Sequence, residues 1–227
     1  MKRIAFLGPE GTVSHEATEY FFSDGPYEFV PCQLISEVVA STVKRETDYS
    51  VIPIENTIDG SVRHHVDLLI ENDFPIVSEW VYPSVQNLIG FRPDSGVLSD
   101  NGAPSPWMNV QTVLSHEVAI PQCKQFLDQN LPSVVYKKVS STAEAVRIVK
   151  EKQDPAYAAI GTKLAAKIYG MDILAEKIQD HDNNYTRFIA IGRETISIRR
   201  EGNDKPTILV TLPEDYPGAL PIAINRV

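Results

Sequence analysis

Cysteine is scarce: Cys32 and Cys123 are the only two in 227 residues, far apart and outside any Cys-x-x-Cys spacing. A disulfide framework and a cysteine-based zinc site are therefore excluded, and a reducing, cytoplasmic setting is expected. No apolar run approaches the roughly eighteen residues that a spanning helix needs. The run 4–7 behind Lys2-Arg3 is too short for a secretion signal and reads as a strand. Long basic clusters are missing as well. Twenty-one Lys plus Arg stand against thirty Asp plus Glu, a net charge of −9, and cationic runs stop at pairs such as Lys137-Lys138. Nucleic acid and anionic membrane are poor partners for such a chain.

Nucleotide and peptidase signatures are absent too. There is no Walker loop, Rossmann fingerprint, His-Glu-x-x-His run or Gly-x-Ser-x-Gly elbow, and Gly8-Pro9-Glu10-Gly11 has the wrong glycine spacing for a phosphate cradle. His64 and His65 are adjacent and diverge by about 100° on a helix. His15, His116 and His181 have no carboxylate or cysteine at ligand spacing, so no metal is expected.

What is present is ordinary globular material, 43% hydrophobic and 22% charged, enough for one large or two modest domains. Strand 2–7 leads through a glycine loop to a helix opened by Ser14; strand 27–31 leads to a helix capped by Ser36; strand 51–54 leads to a helix capped by Ser61, with Val62, Val66, Leu69 and Ile70 as its apolar stripe. Residues 74–91 read as extended crossover segments, and 93–106 as a loop insertion. Alternation then resumes: strand 110–114, a helix after Ser115 or Pro121, strand 134–139, a helix with the capping box Ser141-x-x-Glu144, strand 156–160, helix 163–169 closed by Gly170, the run 173–178 and strand 187–191. This is an α/β pattern with mainly parallel sheet, whose ligands sit beyond the carboxyl ends of strands. Polar residues cluster at such ends: Thr12, Ser14, Glu55, Asn56, Ser115, Gln122, Ser141, Thr142 and 183–187.

Five segments in order carry a resemblance: GPEGTVSHEA at 8–17, VIPIENTIDGSV at 51–62, SHEVAIPQCKQFL at 115–127, STAEAV at 141–146 and NNYTRFIAIG at 183–192. Together they resemble prephenate dehydratase, and TILVTLPEDYPGAL at 207–220 is similar to the start of the regulatory ACT domain of that family. The resemblance implies an α/β, two-lobed fold of the type II periplasmic-binding-protein kind with a cleft between lobes. It gives a catalytic region 1–197, with lobe 1 about 1–80 and 162–197 and lobe 2 about 81–161, a linker 198–205 and an incomplete, truncated ACT-like strand at 206–227. It also implies conversion of prephenate to phenylpyruvate with loss of carbon dioxide and water, without a cofactor.

Position by position, the resemblance implies Thr186 as donor to the departing hydroxyl. Substrate contacts are implied at Asn56, Ser115, Gln122, Arg187, Thr12, Ser14, Glu55, Ser141, Thr142 and Phe188. Plainer readings stand beside these: an Asx turn at Asn56, a helix cap at Ser115, a solvated helix face at Gln122, and an ion pair at Arg187, because neighbouring strand residues point to opposite faces. Thr12 and Ser14 equally fit a turn and cap. Thr57 keeps the hydroxyl of the family's usual serine, whereas Val13, Glu117 and His65 depart from the family pattern and bear on pocket shape. Phenylalanine is expected as an effector only if an intact ACT domain exists. A homo-oligomer, in the simplest case a dimer, is expected from the exposed strand 208–212. The competing functions are a prephenate decarboxylase that keeps the hydroxyl and a solute-binding protein of the same fold.

Overall fold

The computed structural model describes residues 1–72, 74–92, 105–194 and 196. The chain begins with β1 (Lys2–Leu7), α1 (Val13–Phe21), β2 (Tyr27–Cys32), α2 (Ile35–Val43) and β3 (Tyr49–Asn56), whose strands pair in parallel around β1. Alternate residues of β1 serve opposite faces, as a half-turn per residue requires. Phe6 stacks on His15 of α1, while Ala5 joins Val38 and Val39 of α2 in a buried cluster. After the short β4 (Gly60–Ser61), α3 (Arg63–Asn72) adds Leu68 and Leu69 to that cluster. Its Ile70 is 46% exposed, so the expected stripe is rotated away from that residue.

Strand β5 (Ile76–Pro83) ends on a proline, which has no amide to continue a ladder. Residues 84–86 then cross to β6 (Asn87–Gly90), the first strand of a second sheet. That sheet continues with β7 (Thr112–Ser115), a 3₁₀ turn at Pro121–Cys123 leading into α4 (Lys124–Asn130), and β8 (Val135–Lys138). Then come α5 (Thr142–Lys152), β9 (Tyr157–Gly161), α6 (Lys163–Tyr169) and β10 (Asp172–Ala175). Both its faces are covered: Leu88, Val113 and Ile160 pack on one side, Ile89, Leu114 and Ala159 on the other. This explains why its inner strands β6, β7 and β9 read as short, mainly apolar runs. Finally β11 (Tyr185–Gly192) returns to the first sheet and lies antiparallel between β3 and β5.

The first sheet has the order β2-β1-β3-β11-β5, and the second, taken from its far edge, β8-β7-β9-β6-β10. Each has three parallel strands, then an antiparallel strand delivered by the other half of the chain, then an edge strand. Residues Met1–Ile196 form one compact unit. This is the two-lobed α/β fold of the type II periplasmic-binding-protein kind that the resemblance implied. The crossovers run side by side: the Ser84 amide donates to the Asn184 carbonyl and the Ile178 amide to the Gln86 carbonyl, each at 2.9 Å.

Several expectations are corrected. The return to lobe 1 comes at Tyr185 rather than at 162, because β10 pairs with β6 and Ala165, Ala166 and Met171 of the α6 region pack in the second core. Helix α1 is capped by Thr12, not opened by Ser14. Ser36 lies inside α2, whose first turn is tied by the Glu37 carboxylate accepting the amides of Gln33 and Leu34 at 3.0 and 3.1 Å. Ser61 belongs to β4 rather than capping a helix. The expected linker 198–205, the ACT-like strand, and all but the last two residues of the 93–106 loop lie outside the described residues.

Candidate active site

Strand β3 ends in an Asx turn. The Oδ1 of Asn56 accepts the amides of Ile58 and Asp59 at 2.8 and 3.1 Å, and only the oxygen of a carboxamide accepts two backbone donors. The amide orientation is thereby fixed, with Nδ2 facing the start of β11. From there it donates to Thr186 Oγ1 at 3.0 Å, Asn184 Oδ1 at 2.9 Å and the Tyr185 carbonyl at 3.1 Å. Thr186 is half-buried, and its hydroxyl also meets Ser84 Oγ at 2.7 Å.

The network continues across the lobes. Asn184, 3% exposed, donates through Nδ2 to Gln122 Oε1 at 2.8 Å, and Gln122 Nε2 donates to Asp59 Oδ2 at 2.8 Å. Asn56, Asn184, Gln122 and Asp59 thus close a ring that ties the loop after β3, the turn before α4 and the returning crossover together. Thr57 reinforces it, its hydroxyl donating to the Asn183 carbonyl and accepting the Tyr185 amide at 2.9 Å. Except for the Asp59 carboxylate, every group in this assembly is a neutral amide or alcohol.

A second interlobe contact forms around Gly11, whose φ of +87° suits a residue without Cβ. A Cβ there would sit 2.9 Å from Ala165 Cα of the other lobe. Thr12 Oγ1 donates to the Leu7 carbonyl at 3.2 Å and accepts the His15 amide at 3.3 Å. His15 Nδ1 accepts the Gly11 amide at 3.1 Å, and burial holds that imidazole below its ordinary pKa. From the second lobe Thr162 Oγ1 donates to the Gly11 carbonyl at 2.7 Å, and the Leu164 amide donates to Glu16 Oε1 at 2.9 Å. Burial pushes the Glu16 carboxyl upward.

The remaining site candidates fall elsewhere. Ser115 is 0% exposed and its hydroxyl donates to the Ile160 carbonyl at 2.9 Å, which braces β7 to β9. Arg187 points to the opposite sheet face from Thr186, with Nη1 3.4 Å from Glu55 and Nη2 against Glu79. Glu55 and Arg187 are therefore partners of each other. Phe188 is 1% exposed and stacks on Trp80, which in turn stacks on Phe21; it fills the core of the first lobe. Ser14 is 9% exposed within α1. Ser141 caps α5 through the Glu144 amide at 3.0 Å, while the Glu144 carboxylate grips Arg147 instead of completing a capping box. Thr142 is the half-buried first residue of α5.

Two members of the Thr186 assembly, Asp59 and Ser84, were not singled out from the sequence, and Asn184 stood out only as part of the polar run 183–187. Asp59 lay within the quoted segment 51–62, and Ser84 in a stretch legible only as extended chain. Among the described residues no group of three or more His, Cys, Asp or Glu could hold a metal ion.

Residues 4–196 match the family model described as prephenate dehydratase. The chain is 36% identical over 218 residues to a bifunctional chorismate mutase/prephenate dehydratase of Aquifex aeolicus, covering 96% of this chain and 55% of the relative. It is also 36% identical over 222 residues to a prephenate dehydratase of Methanocaldococcus jannaschii, covering 96% and 75%. It thus spans about half the length of the bifunctional relatives it matches. The solved prephenate dehydratase of Arthrobacter aurescens in complex with L-Phe superposes with a TM-score of 0.81 at 32% identity, covering 96% of this chain and 69% of that one. The Staphylococcus aureus enzyme gives 0.74 at 26% identity, covering 99% and 78%. A match over residues 4–196, well over half of the sequence, shows that the chain belongs to the prephenate dehydratase family.

Proposed function

We propose that this chain converts prephenate to phenylpyruvate at the Thr186 assembly. The bond to the ring carboxylate breaks and its electron pair enters the ring. The opposite carbon–oxygen bond breaks in turn, and one proton converts the departing hydroxide to water as carbon dioxide leaves. The observation that carries the reading is the Thr186 hydroxyl, half-buried and held by Asn56 Nδ2 where both crossovers meet the end of β3. Neutral donors suit this chemistry. A cation beside the ring carboxylate would stabilise the ground state and oppose loss of its charge into the ring. The carboxylates are read as held by uncharged groups, among them the first turns of α1 and α5 behind Thr12 and Ser141, where helix dipoles favour negative charge.

The test is incubation of purified protein with prephenate near neutral pH, with phenylpyruvate as the product measured, with and without added phenylalanine. A non-aromatic, hydroxyl-retaining product identifies a decarboxylase instead, and binding without turnover a solute-binding role. Phenylalanine as effector is supported by the L-Phe complex of the Arthrobacter enzyme. Assembly of copies is supported by β8 at the open edge of the second sheet, where Val135 is 58% and Tyr136 42% exposed. The free thiols of Cys32 and Cys123 support a cytoplasmic setting. Among the described residues no helix is long and apolar enough to cross a membrane.

A further inference from the structure

We infer that Ser84 is a positioning residue that aims the Thr186 proton at the leaving oxygen; this rests on the function proposed above. A hydroxyl has one proton to give and two lone pairs to fill. At Thr186 one lone pair receives Asn56 Nδ2 at 3.0 Å, a polarity fixed by the two backbone amides on Asn56 Oδ1. The remaining neighbour is Ser84 Oγ at 2.7 Å, for which geometry alone allows either direction. If Thr186 donated to Ser84, its proton would point away from the substrate. With Ser84 as donor, both lone pairs of Thr186 are filled and its proton has a single direction left, outward.

Burial supports the same order. Ser84 is 6% exposed whereas Thr186 is half-buried, so Thr186 is the more accessible residue of the pair and Ser84 stands behind it. No other partner of the Ser84 hydroxyl exists among the described residues, and its backbone is pinned to the neighbouring crossover by the amide bond to the Asn184 carbonyl. Two donors converging on one oxygen also polarise its O–H, which strengthens an alcohol that is otherwise a very weak acid. The pair spans the join between sheet and crossover, since Pro83 ends β5 immediately before Ser84.

The test is a kinetic cycle on the full chain with prephenate. Ser84→Ala should lower kcat about 10- to 100-fold with KM nearly unchanged. Ser84→Thr, which restores a hydroxyl, should recover much of that loss, and thermal unfolding should show each variant folded. In the Thr186→Ala background, Ser84→Ala should add little, because residues acting through one group are not additive. Three results overturn the inference: kcat of Ser84→Ala within about twofold of the parent, an equal loss with and without Thr186, or no rescue by a folded Ser84→Thr. If Thr186→Ala is slow while Ser84→Ala is not, only this inference fails. If the parent protein makes no phenylpyruvate, the functional reading fails and this one with it.

Discussion

Asn56 donates to the Thr186 hydroxyl at 3.0 Å while its own oxygen is held by the amides of Ile58 and Asp59. One side chain thus ends a strand and orients the alcohol beside it. Asn56→Asp separates the two roles. The carboxylate still accepts the two backbone amides, so the turn survives, but it offers Thr186 an acceptor and draws its proton backwards. Turnover should fall about 10²-fold or more, and Tm should fall by a few degrees because Asn184 Oδ1 and the Tyr185 carbonyl lose their donor as well. Retained turnover in a folded variant would show that the donor to Thr186 is dispensable.

Arg187 neighbours Thr186 in sequence yet is occupied by Glu79 and Glu55 on the other sheet face. Its side chain is 39% exposed, so solvent screens the pairs and their net worth is about 1 kcal/mol. Arg187→Gln should lower Tm by a few degrees and leave KM for prephenate within about threefold. A large KM increase at unchanged stability would instead make Arg187 a substrate contact, as the family resemblance implied.

His15 and His65 both titrate below their usual range, first of all because burial disfavours the imidazolium. A histidine whose folded pKa is depressed binds fewer protons when folded than when unfolded in the interval between its two pKa values. Its contribution is therefore fully present above the unfolded value of about 6.5 and declines as pH falls below it. Urea unfolding should show stability decreasing from pH 7 toward 5.5. His15→Asn, which keeps an acceptor near the Gly11 amide and removes the titration, should flatten part of that slope. An unchanged slope would mean that His15 does not carry it.

How much of this was legible in the sequence depended on how local the cause was. Strand and helix alternation follows from apolar spacing, and it located β1, β3, α5 and β11 closely. Caps were harder, because Thr12 and Ser14 are equally good candidates on paper and only the chain path makes Thr12 the acceptor for the His15 amide. The lobe boundary was displaced to Tyr185 because β10 pairs with β6, a contact between segments about eighty residues apart that no local pattern encodes. Asn56, Gln122 and Thr186 were recoverable through the resemblance, and the structure links them through Asn184. Ser84 was not recoverable, because a serine after a proline in an extended run says nothing of what its hydroxyl will meet.

In the proposed reaction the Thr186 alcohol, held by Asn56 and Ser84, assists departure of the ring hydroxyl. The direct measurement is single-site: kcat of Thr186→Ala on prephenate, with Tm measured on the same preparation. The expected loss is about 10²- to 10⁴-fold at nearly unchanged Tm, about 3 to 5 kcal/mol of barrier. Phenylpyruvate formation near the parent rate in the folded variant would contradict it.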